Sequence, residues 1–198
     1  MNHAKPYQID YRKPDDADEK LKKKLGSVDP SECIIGFFDE AAPQTSANTT
    51  RMWSFGKPII RKNTTKFRAN TFGFYTFNGK GTVNAYVNSK QESVMDFLKE
   101  IRYNNPFKHI IVILDNFSAH RTENVAVTAE ILDIELVFLP PYSPQLNPIE
   151  LIWKSIKIIV SRTFMKDQKM MIDTVKTNFI EFSKSKSFCE NWVEVFVN

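Results

Sequence analysis

His109-Ile-Ile-Val-Ile-Leu-Asp115 is apolar at every position between its polar ends, the pattern of a central strand covered on both faces. A helical stretch follows from Thr122 to about Leu132, and Glu135 to Leu139 then reads as another buried strand. On the N-terminal side, Val94, Phe97, Leu98 and Ile101 recur at helical spacing behind a Ser89-Lys-Gln-Glu92 capping box. Before that helix come two β-rich segments, Phe67 to Phe77 and Thr82 to Val87. Asn78-Gly79 joins them, and both residues tolerate the positive φ of a tight hairpin turn. Cys33-Ile-Ile-Gly-Phe-Phe-Asp39 is one more apolar run and reads as a buried strand. Pro140, Pro141 and Pro144 forbid regular structure, and helices then begin at Pro148 and at about Gln168. Strand, hairpin, helix, strand, helix, strand, helix is the order of an α/β fold, a mixed sheet covered by helices.

The chain has 198 residues, 42% of them hydrophobic, enough for one sizeable core. Residues 1–30 are polar and charged and read as a lead-in, with a short surface helix over Asp15 to Leu25; residues 31–198 form the domain. No stretch approaches the ~20 apolar residues of a membrane span, and no apolar run follows the N-terminus as in a signal peptide, so a cytoplasmic protein is expected. Cys33 and Cys189 lack zinc-ligand spacing and read as reduced packing residues. None of the six glycines forms a nucleotide-binding turn, and no small-molecule cofactor is expected. The net charge is only +4, but no Asp or Glu occurs between Ala41 and Gln91. That stretch carries Arg51, Lys57, Arg61, Lys62, Lys66, Arg68, Lys80 and Lys90. Such a surface suits a polyanion such as DNA, and equally describes a solvated basic face.

Two buried strands each end in an aspartate, Asp39 and Asp115. Ionised carboxylates at such ends are costly unless compensated, and a hard divalent cation compensates them well. Each aspartate alone reads as readily as the cap of the turn after its strand. Glu150 also reads two ways. Asn147-Pro-Ile-Glu150 looks like a helix start with Asn147 as N-cap, Pro148 at the first position and Glu150 closing a capping box. Yet Glu150 falls off the apolar stripe of its helix and aligns with Lys154 and Lys157, a carboxylate backed by two phosphate-seeking lysines.

Leu139-Pro-Pro-Tyr-Ser-Pro-Gln-Leu-Asn-Pro-Ile-Glu-Leu-Ile-Trp-Lys154 closely resembles the segment around the last acidic residue of mariner-superfamily DDE transposases, above all their insertion-sequence branch. Leu114-Asp-Asn-Phe-Ser-Ala-His120 resembles the same family's second-aspartate segment. Phe38-Asp39-Glu40, with Met52-Trp53 and Gly56-Lys57 after it, resembles the first. The 34 residues between Asp115 and Glu150 match a spacing of that superfamily. The resemblance covers roughly Ile34 to Arg162 and implies an RNase H-like fold with a five-stranded sheet. It also implies that Asp39, Asp115 and Glu150 hold two Mg²⁺ or Mn²⁺ ions for cleavage and strand transfer of DNA. Asn116 and His120 match the family pattern and are expected to orient a ligand or touch phosphate, with helix capping the other reading of His120. Trp53 reads as a base-stacking or core residue, and Tyr142 and Ser143 as shaping the loop that presents Glu150.

Full-length relatives carry an N-terminal helix-turn-helix region, which does not fit in the 30 residues before the first strand. A truncated or split-frame product is therefore expected, with weak and largely sequence-independent DNA affinity. Family members work as dimers on paired ends, which implies a homodimer; Trp192, Val195 and Phe196 read as core before they read as its surface. Two other readings stay open. One is another RNase H-like nuclease; the other is a non-catalytic remnant that binds DNA or protein.

Overall fold

The computed structural model describes residues 16–26, 28–45, 55–56, 63–141 and 143–197. Five strands, β1 (Cys33–Ala41), β2 (Asn70–Thr76), β3 (Thr82–Tyr86), β4 (His109–Leu114) and β5 (Ile134–Phe138), form one sheet in the order β3-β2-β1-β4-β5. The β1-β2 and β2-β3 pairs are antiparallel, and the β1-β4 and β4-β5 pairs are parallel. The helices are α1 (Ala17–Leu25), α2 (Gln91–Asn104), α3 (Glu123–Ile131), α4 (Ile149–Arg162), α5 (Gln168–Ser183) and α6 (Glu190–Phe196). This is the expected mixed five-stranded sheet between helical layers.

Alternation along β1 and β4 divides the core in two. Ile34, Phe38, Ile110, Val112 and Leu114 face a layer that contains Val94, Phe97, Leu98 and Ile101 of α2 and Val125 and Ala129 of α3. Ile35, Phe37, Ile111 and Ile113 face the opposite layer, built from α1, α4, α5 and α6. There Trp192 stands edge-on to Phe37 with ring centroids 4.7 Å apart, and Phe196 packs beside it. Both are core residues, and α6 continues the chain past the two helices expected at the end. Cys33 and Cys189 are free and buried, as expected.

Three local expectations are corrected. The lead-in helix forms, but its Leu21 and Leu25 are 1% exposed and sit in the core, so α1 is docked on the domain. The α2 N-cap is Lys90 without a side-chain bond, so Ser89 and Glu92 form no capping box; Asn88 Oδ1 instead accepts from the Lys90 amide and the Ser93 hydroxyl. Asn78-Gly79 makes no positive-φ turn, because Asp133 is the only described residue outside glycine with positive φ and no glycine has it. Asn78 works instead as a clasp. Its Oδ1 accepts from the Ile35 amide at 3.0 Å, and its Nδ2 donates to the Pro30 and Cys33 carbonyls at 3.0 and 2.9 Å. Gly79 is required by close approach, since a Cβ there would stand 2.7 Å from Ile34 Cγ2.

Candidate active site

The β1-β4 ladder pairs Cys33 with His109 and runs in register to Phe37 opposite Ile113. Two residues further along each chain, that register sets Asp39 level with Asp115 on neighbouring strands ~4.8 Å apart. The same alternation turns both toward the layer occupied by α4. The α4 helix presses Ile149, Ile152, Trp153, Ile156 and Val160 onto the sheet at helical spacing, which leaves Glu150 exposed at its first turn. Glycine at position 73 permits this packing. Gly73 is the β2 partner of Asp39, and a Cβ on it would lie 2.6 Å from Trp153 Cζ2 and 2.5 Å from Phe179 Cε2. Asp39, Asp115 and Glu150 consequently line one cavity of about 400 Å³, floored by Leu139 to Pro141 and by Ser143, Pro144 and Asn147.

The electrostatics differ at each carboxylate. Burial, then the charge of Glu150, raises Asp39 from 3.8 to about 8; the Glu40 backbone amide pulls the other way, and Asp115 and Glu40 add to the rise. Burial also raises Asp115, but the close contact with His120, the Phe117 amide at 3.0 Å and the His120 charge outweigh it and leave Asp115 below its ordinary value. Asp115 does cap the turn after β4, as its other reading had it. His120 is 2% exposed between the rings of Phe38 and Phe117, with centroids 5.1 and 5.5 Å away. Its Nε2 stands 3.0 Å from Glu40 Oε1 and its Nδ1 3.0 Å from Asp115 Oδ1, the latter a charge contact poorly angled for a hydrogen bond. Burial lowers its affinity for a proton, but Asp115 and Glu40 reverse this and bring it to about 9. His120 caps no helix; Thr122 caps α3 instead, accepting from the Val125 amide.

Asn147 also departs from expectation. The α4 N-cap is Pro148 without a side-chain bond, so Asn147 and Glu150 form no capping box. Asn147 is 4% exposed and donates its Nδ2 to the Phe38 carbonyl at 3.5 Å, while its Oδ1 is buried without a hydrogen-bond partner. Among the described residues no three His, Cys, Asp or Glu side chains already stand close enough to enclose an ion. The set nevertheless fits a hard divalent cation. Its donors are oxygens, burial and the charge of Glu150 raise Asp39 in a way a cation would reverse, and an orphaned amide oxygen lines the same cavity.

Of the other expected residues, Asn116 lines the cavity and donates to the Leu139 carbonyl, tying the ends of β4 and β5 together. Lys154 and Lys157 are exposed on α4, and Lys66 and Arg68 are exposed before β2; none of the four lines the cavity. The α5 residue Gln168 donates to the Arg68 carbonyl, beside a separate hollow at the β2-β3 end. Arg51, Trp53, Lys57, Arg61, Lys62 and Tyr142 lie outside the described residues. Glu40 was not singled out as a site residue, although an acid beside Asp39 with a histidine five residues past Asp115 was the available signal.

A family described as DDE superfamily endonuclease matches residues 35–172. An uncharacterized protein of Sinorhizobium fredii, y4pE/y4sA, is 38% identical over 77 residues, 38% of this chain and 53% of that protein. The fold recurs in solved structures. The catalytic domain of Mos1 mariner transposase superposes with TM-score 0.59 at 14% identity, covering 98% of this chain and 97% of that one. A Mos1 mariner paired-end complex with Mn gives TM-score 0.61 at 13% identity, covering 97% of this chain and 65% of that one. This chain thus spans about half of the curated relative and about two thirds of the Mos1 chain in that complex. The sheet order and helical layers are those of the RNase H-like catalytic domain, and the family match covers the segments that carry Asp39, Asp115 and Glu150. The chain belongs to the DDE superfamily endonuclease family.

Proposed function

We propose that this chain is a transposase catalytic domain that cleaves DNA phosphodiester bonds and joins the resulting ends to target DNA, with Asp39, Asp115 and Glu150 as its metal ligands. The observation that carries the reading is one cavity lined by three carboxylates from three separate elements, two of them level on adjacent parallel strands. Two Mg²⁺ or Mn²⁺ ions held there would activate a water or a DNA 3′-hydroxyl and stabilise the leaving oxygen of an in-line displacement. The protein's own part is positional. Asp39 gives up the proton that burial and Glu150 let it keep, and His120 holds Asp115 ionised and fixed against Glu40. Asn147 adds an amide oxygen on the β1 side of the cavity. Lys154 and Lys157 stand one and two turns behind Glu150, within the stretch of α4 that would meet the substrate's phosphates. Arg51, Lys57, Arg61, Lys62, Lys66 and Arg68 supply the remaining cationic surface, and the catalytic unit is residues 31–198 together with the α1 helix docked on them. The partner is DNA, engaged by a homodimer on paired ends.

Purified protein with Mn²⁺ and a pre-cleaved oligonucleotide end should yield joined products that Asp115→Asn and Glu150→Gln both abolish. Degradation without joining would identify a nuclease of the same fold. Wild type and both variants behaving alike would leave a DNA-binding remnant.

A further inference from the structure

A second cavity, of about 690 Å³, adjoins the carboxylate one, and Asn116, Leu139, Pro140 and Pro141 line both. Its rim is cationic, with Lys20, Lys23 and Lys24 from α1 and Arg121 from the turn after β4; Leu21 and Phe138 contribute its apolar floor. No acidic side chain is among its lining residues. The rim is held in place rather than merely floppy and basic, because Leu21 and Leu25 anchor α1 in the core and fix which way its lysines project. Lys20 is shared with Asp16 at 2.9 Å on an exposed surface, whereas Lys23, Lys24 and Arg121 have no ion pair among the described residues. The Arg121 guanidinium carbon lies 6.0 Å from the centroid of the half-buried Phe138 ring, a cation over an aromatic face.

We infer that this cavity seats an unpaired nucleotide of the DNA strand next to the reacting phosphodiester, its base against Arg121 and Phe138 and its flanking phosphates on Lys23 and Lys24. The inference rests on the proposed function and adds a substrate subsite to it. Three features select this occupant. The volume lies within the ~300–1,000 Å³ that encloses a small organic molecule, which admits a nucleotide and excludes a duplex. An apolar floor under a cationic rim is the combination that holds single strands, stacking the base and neutralising the backbone. The wall shared with the carboxylates makes the two cavities consecutive along one strand.

The test is anisotropy binding of the whole chain, in EDTA, to a blunt duplex and to the same duplex with a three-nucleotide single-stranded extension. The wild type should prefer the extended DNA by roughly tenfold, the value of one stacked base. The triple variant Lys23→Ala/Lys24→Ala/Arg121→Ala should lose that preference while circular dichroism and melting stay unchanged. An iodouracil placed in the extension should cross-link to the wild type within residues 116–141. Equal binding of both DNAs by the wild type, or a preference that survives in the triple variant, overturns the inference. Parallel Mn²⁺ cleavage assays separate the two ideas. Wild-type cleavage without a preference for the extension removes the subsite and keeps the enzyme. A preference without any Asp115-dependent cleavage removes the enzyme and keeps a single-strand binding site.

Discussion

At the scale of single residues the cavity is an unfinished charge balance. Asp39 keeps its proton up to about pH 8 in the folded protein but only to about 3.8 when unfolded. Between those values the unfolded chain releases a proton that the folded one retains, so the metal-free protein should lose stability as pH rises from about 4 to about 8. Denaturant melts in EDTA at pH 5 and pH 8 should differ by on the order of 2 kcal/mol, and Asp39→Asn should flatten the difference. Mn²⁺ should restore the wild type at pH 8 and leave Asp39→Asn largely unmoved. His120 acts in the same direction over a higher pH window. Its proton affinity rises from 6.5 to about 9 on folding, so the stability it contributes is full below about pH 6.5 and lost as pH climbs through about 9. His120→Ala should therefore cost ~1–3 kcal/mol at pH 6 and less at pH 9.5, read from the same melts. These roles were only partly visible in the sequence. An aspartate ending an apolar run announces itself by its cost, whereas the contact between Glu40 and His120 spans 80 positions and has no local signature. Asn147 was misread because Asn before Pro fits a helix cap so well that the alternative, an amide turned toward the end of β1, leaves no trace in the pattern.

Among the elements, β2 and α4 are coupled by the absence of a side chain. Gly73→Val would drive a branched side chain into Trp153 and Phe179 on the side where α4 and α5 cover the sheet. A loss of ~2–4 kcal/mol in chemical denaturation is expected, together with weaker Mn²⁺ binding because Glu150 rides on the displaced helix. Gly73→Val with wild-type metal affinity would show that α4 is held by other contacts. The strands and the long helices were legible because burial on one or both faces writes a period of 2 or 3.6 into the chain. Turn and cap chemistry was less so. Asn78-Gly79 carries a hairpin signature, yet the Asn78 side chain is used to clasp β1, and the five residues between β2 and β3 turn without positive φ.

For the molecule as a whole, α1 and α6 redraw the boundary that composition implied. A lysine-rich segment with two leucines reads as a polar lead-in, and only the assembled core shows that Leu21 and Leu25 fill it. Leu21→Ala and Leu25→Ala should each cost ~2–5 kcal/mol, as a true core position does and a surface helix does not. The charge distribution predicts how the protein meets DNA. Association should be largely independent of sequence and steeply dependent on salt. For about four neutralised phosphates, affinity should drop roughly a hundredfold between 50 and 200 mM salt. A titration showing a flat salt response would place the contacts elsewhere than on the cationic face.

Phe37, two residues before Asp39, leans on Trp192, and Gly73, across from Asp39, is roofed by Phe179. During translation the three acids therefore leave the ribosome well before the helices that set their spacing. A nascent polypeptide arrested near residue 165 would hold every ligand and still lack the α5 and α6 packing behind them, so competence arrives only once those two helices have emerged. Protease protection of stalled chains of increasing length should show the β1-β4 pairing hardening only as α5 and α6 emerge.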